Sequence, residues 1–262
     1  MNRRNLVSLV LLSSLSLPVL AADLLQTVQQ RGQLNIAVEG TYPPFNFRNR
    51  QQQLTGFEVE LGQELARRLG VKAHFTTGEW SALLAGLQAG KSDIVLNQVA
   101  VTEARRKVFD FSQPYTISSA QLIVRQDDNR PTDSVAALKG KTIGVAQGSN
   151  YAELAKSLPG VTVKTYPGAP EYLQDLATGR IDAALNDSLL IPFAIKTARL
   201  PLKPGLPLGG LSHMAIPFAK GNPAFQAAID KALTGMQKDG SFARLSTRWF
   251  GQDVSRAPVG TH

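Results

Sequence analysis

A short motif that occurs twice constrains the fold of this chain more than any other feature of its sequence. Residues 87–97 and 176–186 both have Leu-x-x-Gly, then a basic residue, then x-Asp-x-x-Leu-Asn, and the copies start 89 residues apart. Residues 39–41 (Glu-Gly-Thr) and 147–149 (Gln-Gly-Ser) form a second echo, each after the first apolar strand of its half. We interpret the repeat as two similar lobes. Chance agreement over so short a motif is the alternative.

Both halves alternate apolar strands with helical segments, which favours a parallel sheet in each lobe. In the first half we predict strands over 34–38, 71–75 and 93–96, a helix over 58–69, and a helix from 81 that ends at Gly90. In the second half we predict strands over 142–145, 161–166 and 181–185, and helices over 151–157 and 170–178. The remaining predictions are an extended crossing segment over 116–124, a helix over 188–198, a Pro- and Gly-rich loop over 201–210, a returning strand over 213–217, and helices over 223–239 and 242–249.

The ends of the predicted strands identify a candidate binding cleft. Open α/β sheets bind ligands beyond the carboxyl ends of their strands, and two such lobes can face each other there. The residues just past the strand ends are 39–45 and 97–105 in the first lobe. In the second lobe they are 147–150 and 186–187.

Arg105 is the first residue of this cleft with a specific chemical expectation. Thr102 suits a helix N-cap, which places Arg105 in the first helical turn, where unpaired N–H groups make a cation mildly unfavourable. A ligand carboxylate beside Arg105 would remove that conflict through a bidentate hydrogen bond. The alternative is a solvated surface arginine in the basic run 105–107.

Asp187 would place an anion on the opposite wall. A fixed cation and a fixed anion facing each other match a zwitterion, so we expect an α-amino acid with its carboxylate on Arg105 and its ammonium group on Asp187. The alternative role for Asp187 is to cap the following helix. Tyr42 and Trp80 are candidate aromatic walls of the pocket or, alternatively, core residues.

Three further residues near the strand ends have weaker expectations. Gly148 and Ser149 can offer backbone and hydroxyl donors at a helix start, or form a plain turn. Glu39 is a single acid near the cleft, which does not define a reaction. No Gly-x-Ser-x-Gly motif or P-loop is present in the sequence.

Composition excludes several other classes of function. The chain has no cysteine and only three widely spaced histidines, His74, His213 and His262, so we expect no metal site and no cofactor. The formal charge of +8 is scattered among acids rather than gathered in one run, which argues against nucleic-acid binding.

Residues 1–21 have the pattern of a cleavable secretory signal peptide. Arg3 and Arg4 precede an apolar segment over 6–17, and a small-residue cleavage site follows Ala21, with Ala22 as the alternative. The alternative reading, a membrane anchor, needs about 20 apolar residues and no Pro18. Cleavage would lower the formal charge to +6 and release an exported protein.

Segments along nearly the whole mature chain resemble the periplasmic solute-binding proteins of the polar amino acid ABC uptake class, family 3. The matching segments are 40–45 (GTYPPF), 54–60 (LTGFEVE), 97–99 (NQV), 103–107 (EARRK), 109–115 (FDFSQPY), 179–183 (GRIDA), 236–240 (MQKDG) and 249–251 (WFG). Within the family, cystine-binding members are most similar, on the segments 97–99, 148–151 (GSNY), 165–166 and 172–176. The cystine-like segment 148–151 adds Asn150 to the expected ligand-binding residues.

This resemblance implies roles for individual residues. It places the ligand carboxylate on Arg105, with a contact from Ser149, and the amino group on Asp187 and the backbone of Gln98. It also implies that Tyr42 and Trp80 line the pocket. At Ala100 relatives usually have threonine, so this chain would keep only the backbone N–H there, a loss of about 1 kcal/mol for one neutral hydrogen bond or a sign of a changed ligand.

The resemblance further implies an α/β, two-lobed periplasmic-binding-protein fold of type II. The first lobe would be discontinuous, over 23–116 and 213–262, and the second would cover 120–209. Two hinge strands near 115–119 and 210–214 would let the lobes close on the ligand.

In function, the resemblance implies a monomer in the Gram-negative periplasm that delivers its ligand to the membrane subunits of an ABC permease. The alternative from another class is an exported enzyme on the same fold, such as a cyclohexadienyl dehydratase.

Overall fold

We describe the chain from a computed structural model that covers residues 23–196 and 199–257. The predicted signal peptide and His262 lie outside the described residues. Among the helices that are described, none is both long enough and apolar enough to cross a membrane.

The first lobe is built on a three-stranded parallel sheet in the order β5-β1-β6, and a small antiparallel sheet, β2-β3-β4, lies beside it. Its elements are α1 (Leu24–Arg31), β1 (Gln33–Val38), β2 (Thr41–Tyr42), β3 (Asn46–Arg48), β4 (Leu54–Thr55), α2 (Phe57–Arg68), β5 (Lys72–Thr77), α3 (Trp80–Gln88), β6 (Ile94–Val95), α4 (Glu103–Arg106) and β7 (Phe109–Phe111).

The second lobe is built on a five-stranded sheet in the order β10-β9-β11-β8-β12. Strands β10, β9 and β11 are parallel, whereas β8 and β12 run antiparallel to their neighbours. Its elements are β8 (Thr116–Arg125), a 3₁₀ turn (Ala136–Leu138), β9 (Thr142–Ala146), α5 (Asn150–Ser157), β10 (Thr162–Tyr166), α6 (Ala169–Ala177), β11 (Ala183–Asp187), α7 (Ile191–Lys196) and β12 (Leu202–Met214).

The last segment of the chain returns to the first lobe. Strand β13 (Pro217–Ala219) pairs with β7, and the helices α8 (Pro223–Lys238) and α9 (Ser241–Phe250) pack on α1 and α2. The predicted two-lobed α/β fold is therefore confirmed.

The internal repeat is visible in the topology of the two sheets. Each lobe contains a β-α-β-α-β unit whose first strand lies between the other two, β5-β1-β6 in one lobe and β10-β9-β11 in the other. The glycines of the motif also adopt the same backbone conformation, with φ of 72° at Gly90 and 77° at Gly179. This left-handed conformation, which favours glycine, ends the preceding helical segment in both lobes.

Helix α2 illustrates why these elements begin and end where they do. A side chain at Gly56, just before the helix, would place its Cβ 2.3 Å from the carbonyl oxygen of Phe45, so only glycine fits. The first turn of α2 carries Glu58 and Glu60, and the last turn carries Arg67 and Arg68, which match the helix dipole at both ends.

The predicted loop over 201–210 is wrong, because residues 202–210 lie in strand β12. This strand is at the edge of the five-stranded sheet, where a residue without an N–H group, such as Pro204 or Pro207, does not break an inner ladder. The register with β8 shifts between Pro204 and Pro207 and again between Leu208 and Leu211, so the strand accommodates its turn-forming residues as bulges.

Two helix predictions also need correction. The helix predicted over 188–198 begins only at Ile191, with Pro192 in its first turn, the position that proline favours. Helix α1 is absent from the predicted elements, although Asp23 caps it by accepting from the backbone N–H of Leu25 at 2.8 Å.

Strands β8 and β12 connect the lobes. Near the first lobe they pair over Thr116–Ser119 and Leu211–Met214, and the Tyr115 N–H donates to the carbonyl of Met214 at 2.9 Å. The predicted boundaries of the lobes, 23–116 with 213–262 and 120–209, and the predicted hinges near 115–119 and 210–214, stay predictions.

Candidate functional site

A cleft between the lobes lies at the carboxyl ends of the parallel strands. It encloses about 340 Å³, counted with its open mouth. Residues from both lobes line it: Glu39, Tyr42, Trp80, Asn97 and Gln98 from the first lobe, and Ala146, Ser149, Asn150, Tyr151, Ala169, Tyr172 and Asn186 from the second. The topology therefore brings the two sets of strand ends together as the repeat predicted.

The predicted ligand-binding residues take three kinds of position in the structure. Six of them line the cleft directly, namely Glu39, Tyr42, Trp80, Gln98, Ser149 and Asn150. Arg105 joins the lobes by donating from Nη2 to the Gly148 carbonyl at 3.4 Å and from Nη1 to the Ala100 carbonyl at 2.9 Å. Asp187 is fully buried behind Asn186, which precedes it on β11. The functional roles of these ten residues stay predictions.

Arg105 is a half-buried cation held by its surroundings. The Arg105 N–H donates to Thr102 Oγ1 at 3.2 Å, so Thr102 is the N-cap that the sequence predicted. The guanidinium carbon lies 5.5 Å from the centre of the Trp80 ring, within the range of a cation–π contact. Burial lowers the pKa of Arg105 to about 10, which keeps the group charged at neutral pH.

Asp187 is a buried carboxylate that only neutral groups contact. Its Oδ2 accepts from Ser118 Oγ at 2.6 Å and from the Tyr151 hydroxyl at 3.1 Å, and its Oδ1 accepts from the Leu189 N–H at 2.9 Å. The last bond closes a local turn and does not cap the following helix, which begins only at Ile191, so the alternative role that the sequence offered for Asp187 is wrong. Burial raises the pKa of Asp187, and these hydrogen bonds oppose the rise.

Within residues 23–196 and 199–257, neither Arg105 nor Asp187 has a partner of opposite charge, because the salt bridges there involve other side chains. The hydroxyl of Tyr151, a neutral group, binds Asp187. Desolvated charges of this kind are costly unless another group compensates them.

Glu39 adds a third charged group, at the other end of the cleft. Its carboxylate accepts from Thr41 Oγ1 at 3.3 Å and from Asn97 Nδ2 at 3.2 Å. Burial raises the pKa of Glu39, and the nearby Glu171 of the second lobe raises it further. The carboxylate approaches Gly168 so closely that a Cβ there would lie 2.4 Å from Oε1.

Tyr42 connects the two lobes through Asn186. Its hydroxyl donates to Asn186 Oδ1 at 2.6 Å, and Asn186 Nδ2 donates in turn to the Tyr172 hydroxyl. Because Tyr42 belongs to the first lobe and Asn186 to the second, this bond forms only when the lobes are close together.

Gln98 has an unusual backbone and an incomplete set of hydrogen bonds. Its φ of 48° is positive, which is uncommon for a residue other than glycine. Its N–H donates to Glu58 Oε1 at 2.7 Å and its Oε1 accepts from Thr116 Oγ1 at 2.7 Å. Its Nε2 is buried and has no hydrogen-bond partner among the described residues.

Glu58 lies beneath the floor of the cleft and is fully buried. Besides the Gln98 N–H, its carboxylate accepts from the Tyr115 hydroxyl and from Asn46 Nδ2, the latter at 2.7 Å. Burial raises the pKa of Glu58 from 4.5 to about 7, against the effect of these three donors.

Six residues that line the cleft are absent from the predicted ligand-binding set. They are Asn97, Ala146, Tyr151, Ala169, Tyr172 and Asn186. Asn97 and Asn186 do lie in the predicted strand-end segments, because they end the repeated motif. Tyr151 is two residues past Ser149, so the first turn of α5 was a usable signal for it. Tyr172 lies on α6, and no local sequence signal places that helix against the cleft.

Comparison with known sequences gives a consistent result. A profile of bacterial extracellular solute-binding proteins, family 3, matches residues 34–252. The L-cystine-binding protein TcyJ of Escherichia coli is 41% identical over 234 residues, which are 89% of this chain and 88% of that protein. The L-cystine-binding protein TcyA of Bacillus subtilis is 36% identical over 236 residues, 89% of this chain and 87% of that protein.

The fold also matches a solved structure over most of its length. The crystal structure of the ancestral amino acid-binding protein AncCDT-1, a precursor of cyclohexadienyl dehydratase, superposes with a TM-score of 0.81 at 30% identity. The match covers 87% of this chain and 100% of that one.

Proposed function

The chain belongs to the bacterial extracellular solute-binding proteins of family 3, and from this premise we propose that it captures a polar α-amino acid in the cleft and delivers it to an ABC importer. The observation that carries this proposal is the pair of uncompensated charges, Arg105 in the first lobe and Asp187 in the second. A zwitterion supplies both missing partners at once, and in doing so it favours the closed arrangement of the lobes.

The carboxylate of the ligand would bind between Arg105 and the start of α5. The guanidinium offers a planar pair of donors that suits a carboxylate, and Trp80 packs against it. The first turn of α5 adds backbone N–H groups beside the side chain of Asn150, while Ser149 caps the helix by accepting from the Ala152 N–H at 3.0 Å and donating to the Ala146 carbonyl at 2.8 Å.

The ammonium group of the ligand would bind Asp187. This carboxylate already accepts hydrogen bonds from three neutral donors, which oppose the rise of its pKa on burial. The ammonium group would be its charged partner, and Tyr151, whose hydroxyl binds Asp187, also lines the cleft.

For the identity of the amino acid we propose L-cystine. This disulfide-linked amino acid has a second ammonium group, and Glu39 offers a second desolvated carboxylate in the same cleft. The similarity to two L-cystine-binding proteins supports this choice. Ala100, where relatives usually have threonine, is the departure that a binding experiment must resolve.

We further propose that the protein acts as a monomer in the periplasm after cleavage of residues 1–21. Its partners would be the ligand and the membrane subunits of an ABC permease, which recognise the closed form.

The test is calorimetric titration of the protein without its predicted signal peptide. We expect saturable binding of L-cystine, with weaker binding of L-cysteine, L-arginine and L-glutamine. A ligand at 100 times its Kd should also stabilise the protein by about 2.7 kcal/mol in thermal unfolding. If none of the twenty common amino acids or cystine binds, the proposal fails.

Two arginine variants make this test specific to the cleft. Arg105→Met should weaken binding by at least about 30-fold, because it removes the charged partner of the carboxylate. Arg106→Met is the matched control on the same helix and should bind as the wild type does, since the Arg106 side chain is exposed.

The enzyme alternative is tested with the same preparation. Two observations favour this alternative. The structurally similar protein AncCDT-1 is a precursor of cyclohexadienyl dehydratase, and the cleft contains an acid of raised pKa, Glu39. Turnover of prephenate or arogenate by the wild-type protein would replace the binding proposal with a catalytic one.

A further inference from the structure

The side-chain amide nitrogen of Gln98, which lines the cleft, is a hydrogen-bond donor without an acceptor among the described residues. Its side chain lines the cleft and is only 4% exposed, and its Nε2 has no partner among the described residues. Buried amide groups are nearly always hydrogen-bonded, so a donor left unpaired in this position calls for an acceptor that residues 23–196 and 199–257 do not provide. The cleft is where such an acceptor would arrive.

The rest of the Gln98 residue is held in place by two independent bonds. Its N–H donates to the buried carboxylate of Glu58, and its Oε1 accepts from the hydroxyl of Thr116. Both bonds lead to the start of strand β8, since Thr116 is its first residue and the neighbouring Tyr115 also donates to Glu58. A positive φ is maintained at Gln98, which indicates that the surrounding contacts determine its conformation.

We propose that the side-chain amide of Gln98 is a ligand-binding donor, which gives a hydrogen bond from Nε2 to an oxygen acceptor of the bound amino acid and thereby ties the ligand to strand β8 through Thr116. This inference rests on the proposed amino acid ligand. It assigns to the side chain a contact separate from any made by the backbone of Gln98. The donor selects for a ligand with an acceptor at this point, because an apolar group there would leave Nε2 buried and unpaired.

Three variants separate this contact from a merely structural role. Gln98→Met keeps the length of the side chain and removes the donor, and it should weaken cystine binding about 10- to 100-fold. Gln98→Glu replaces the donor with an acceptor and should weaken binding at least as much. Ser92→Ala is the matched control, because Ser92 Oγ is also buried without a partner but lies outside this cleft, and its affinity should equal that of the wild type.

A spectroscopic measurement reads the contact directly. In the ¹⁵N-labelled wild-type protein, assigned through the Gln98→Met variant, the side-chain NH₂ resonances of Gln98 should shift on addition of cystine and should then exchange more slowly with water. Thr116→Val should weaken binding by a smaller factor, about 2- to 10-fold, and its effect should largely disappear in the Gln98→Met background.

The outcomes distinguish this inference from the proposed function. A wild-type protein that binds no amino acid overturns both. A wild-type protein that binds cystine, with equal affinity for Gln98→Met and unmoved NH₂ resonances, overturns the Gln98 contact alone. Retained affinity in Gln98→Glu would mean that an acceptor faces the ligand, which also contradicts a donor role.

Discussion

Both lobes place a buried acid next to the start of strand β8, but on different elements of the repeated unit. In the first lobe the acid is Glu58, the second residue of α2, and it accepts from the N–H of Gln98. In the second lobe it is Asp187 at the end of β11, and it accepts from Tyr151, the second residue of α5. Gln98 and Asp187 occupy the same place, because each follows the asparagine that ends the repeated motif.

The two acids also accept from residues at the start of strand β8 or just before it. Tyr115 donates to Glu58, and Ser118 donates to Asp187. The two lobes therefore have the same arrangement of elements, but the acid lies on helix α2 in the first lobe and at the end of strand β11 in the second. As a result, the residue after the motif is an acid in the second lobe, Asp187, and a neutral amide in the first, Gln98.

Beneath the cleft the lobes remain alike. Asp93 accepts from the N–H of Asn35 in β1 at 2.7 Å and pairs with Arg31. Asp182 accepts from the N–H of Thr142 in β9 at 2.8 Å and pairs with Arg130 at 2.7 Å. In each lobe the acid of the motif thus connects the last strand of the β-α-β-α-β unit to its first strand, β1 or β9. This role is purely structural and explains why the motif recurs.

The largest expected effect comes from removing the anion that distinguishes the second lobe. Asp187→Asn should weaken amino acid binding by about 2–5 kcal/mol, at least about 30-fold, because the ligand ammonium group loses its charged partner. The free protein should unfold at the same or a higher temperature, since the variant no longer buries an uncompensated carboxylate. Calorimetric titration and thermal unfolding measure the two quantities, and undiminished affinity would contradict the assignment of the ammonium site.

Glu58, the buried acid of the first lobe, should affect the stability of the protein rather than its affinity for the ligand. Its pKa is about 7 in the folded protein and 4.5 as the ordinary value, so its contribution is fully present below about pH 4.5 and is lost as the pH rises through 7. We expect urea unfolding to show a loss of up to roughly 3 kcal/mol between pH 5 and pH 8 from this group. The groups facing it are Tyr115, Asn46 and the Gln98 N–H, and the charge of Asp187 raises its pKa further.

Glu58→Gln should flatten this part of the pH profile. Glu64→Gln is the control on the same helix, because arginine contacts lower the pKa of Glu64 to about 2, outside the range tested. A slope that is equal in the wild type and in Glu58→Gln would show that Glu58 does not titrate there.

Substitution of the motif acid, Asp93 or Asp182, should have the same kind of effect in both lobes. Asp93→Asn and Asp182→Asn should each lower the free energy of unfolding by about 1–2 kcal/mol and leave amino acid affinity unchanged. The effect should be larger at Asp93, whose side chain is 8% exposed against 26% for Asp182. Urea unfolding and calorimetric titration of both variants check this. A loss of binding in either variant would contradict a purely structural role for these acids.

The smallest effect is expected at the contact between the lobes. Asn97 bonds within its own lobe, to the N–H of Glu39 at 2.8 Å, whereas Asn186 accepts from Tyr42 of the other lobe. Tyr42→Phe removes that hydroxyl and should weaken binding by about 0.5–1.5 kcal/mol, because closure loses one hydrogen bond. Titration would contradict this view if Tyr42→Phe bound more tightly than the wild type.

Much of the fold was predictable from local patterns. The motif around Asp93 and Asp182 identified the repeat, and strand and helix periodicity located the parallel strands of both sheets. Strand β12 was not predictable, because Pro204, Pro207 and the glycines near them favour a loop locally. Its pairing with β8 at a sheet edge is a long-range contact that outweighs this local preference.

The candidate site was predictable only in part. Arg105 stood out because a cation in a first helical turn conflicts with the helix dipole, and the structure accounts for it with Trp80 and the carbonyls of Ala100 and Gly148. Tyr172 reaches the cleft from a helix whose placement depends on the packing of the whole second lobe. No sequence pattern predicts that Tyr172 lies at the cleft.

The sequence by itself determined the two lobes, the strand ends that meet at the cleft and the opposite charges available there, because periodicity, capping and charge are local properties of the chain. Only the tertiary structure decided that Asn186 reaches Tyr42 and that, in the part of the chain that the structure describes, Asp187 is buried without a counter-charge and the amide of Gln98 keeps a free donor. Those facts depend on which groups burial deprives of water and which partners packing then supplies, and both are settled only when distant segments come together.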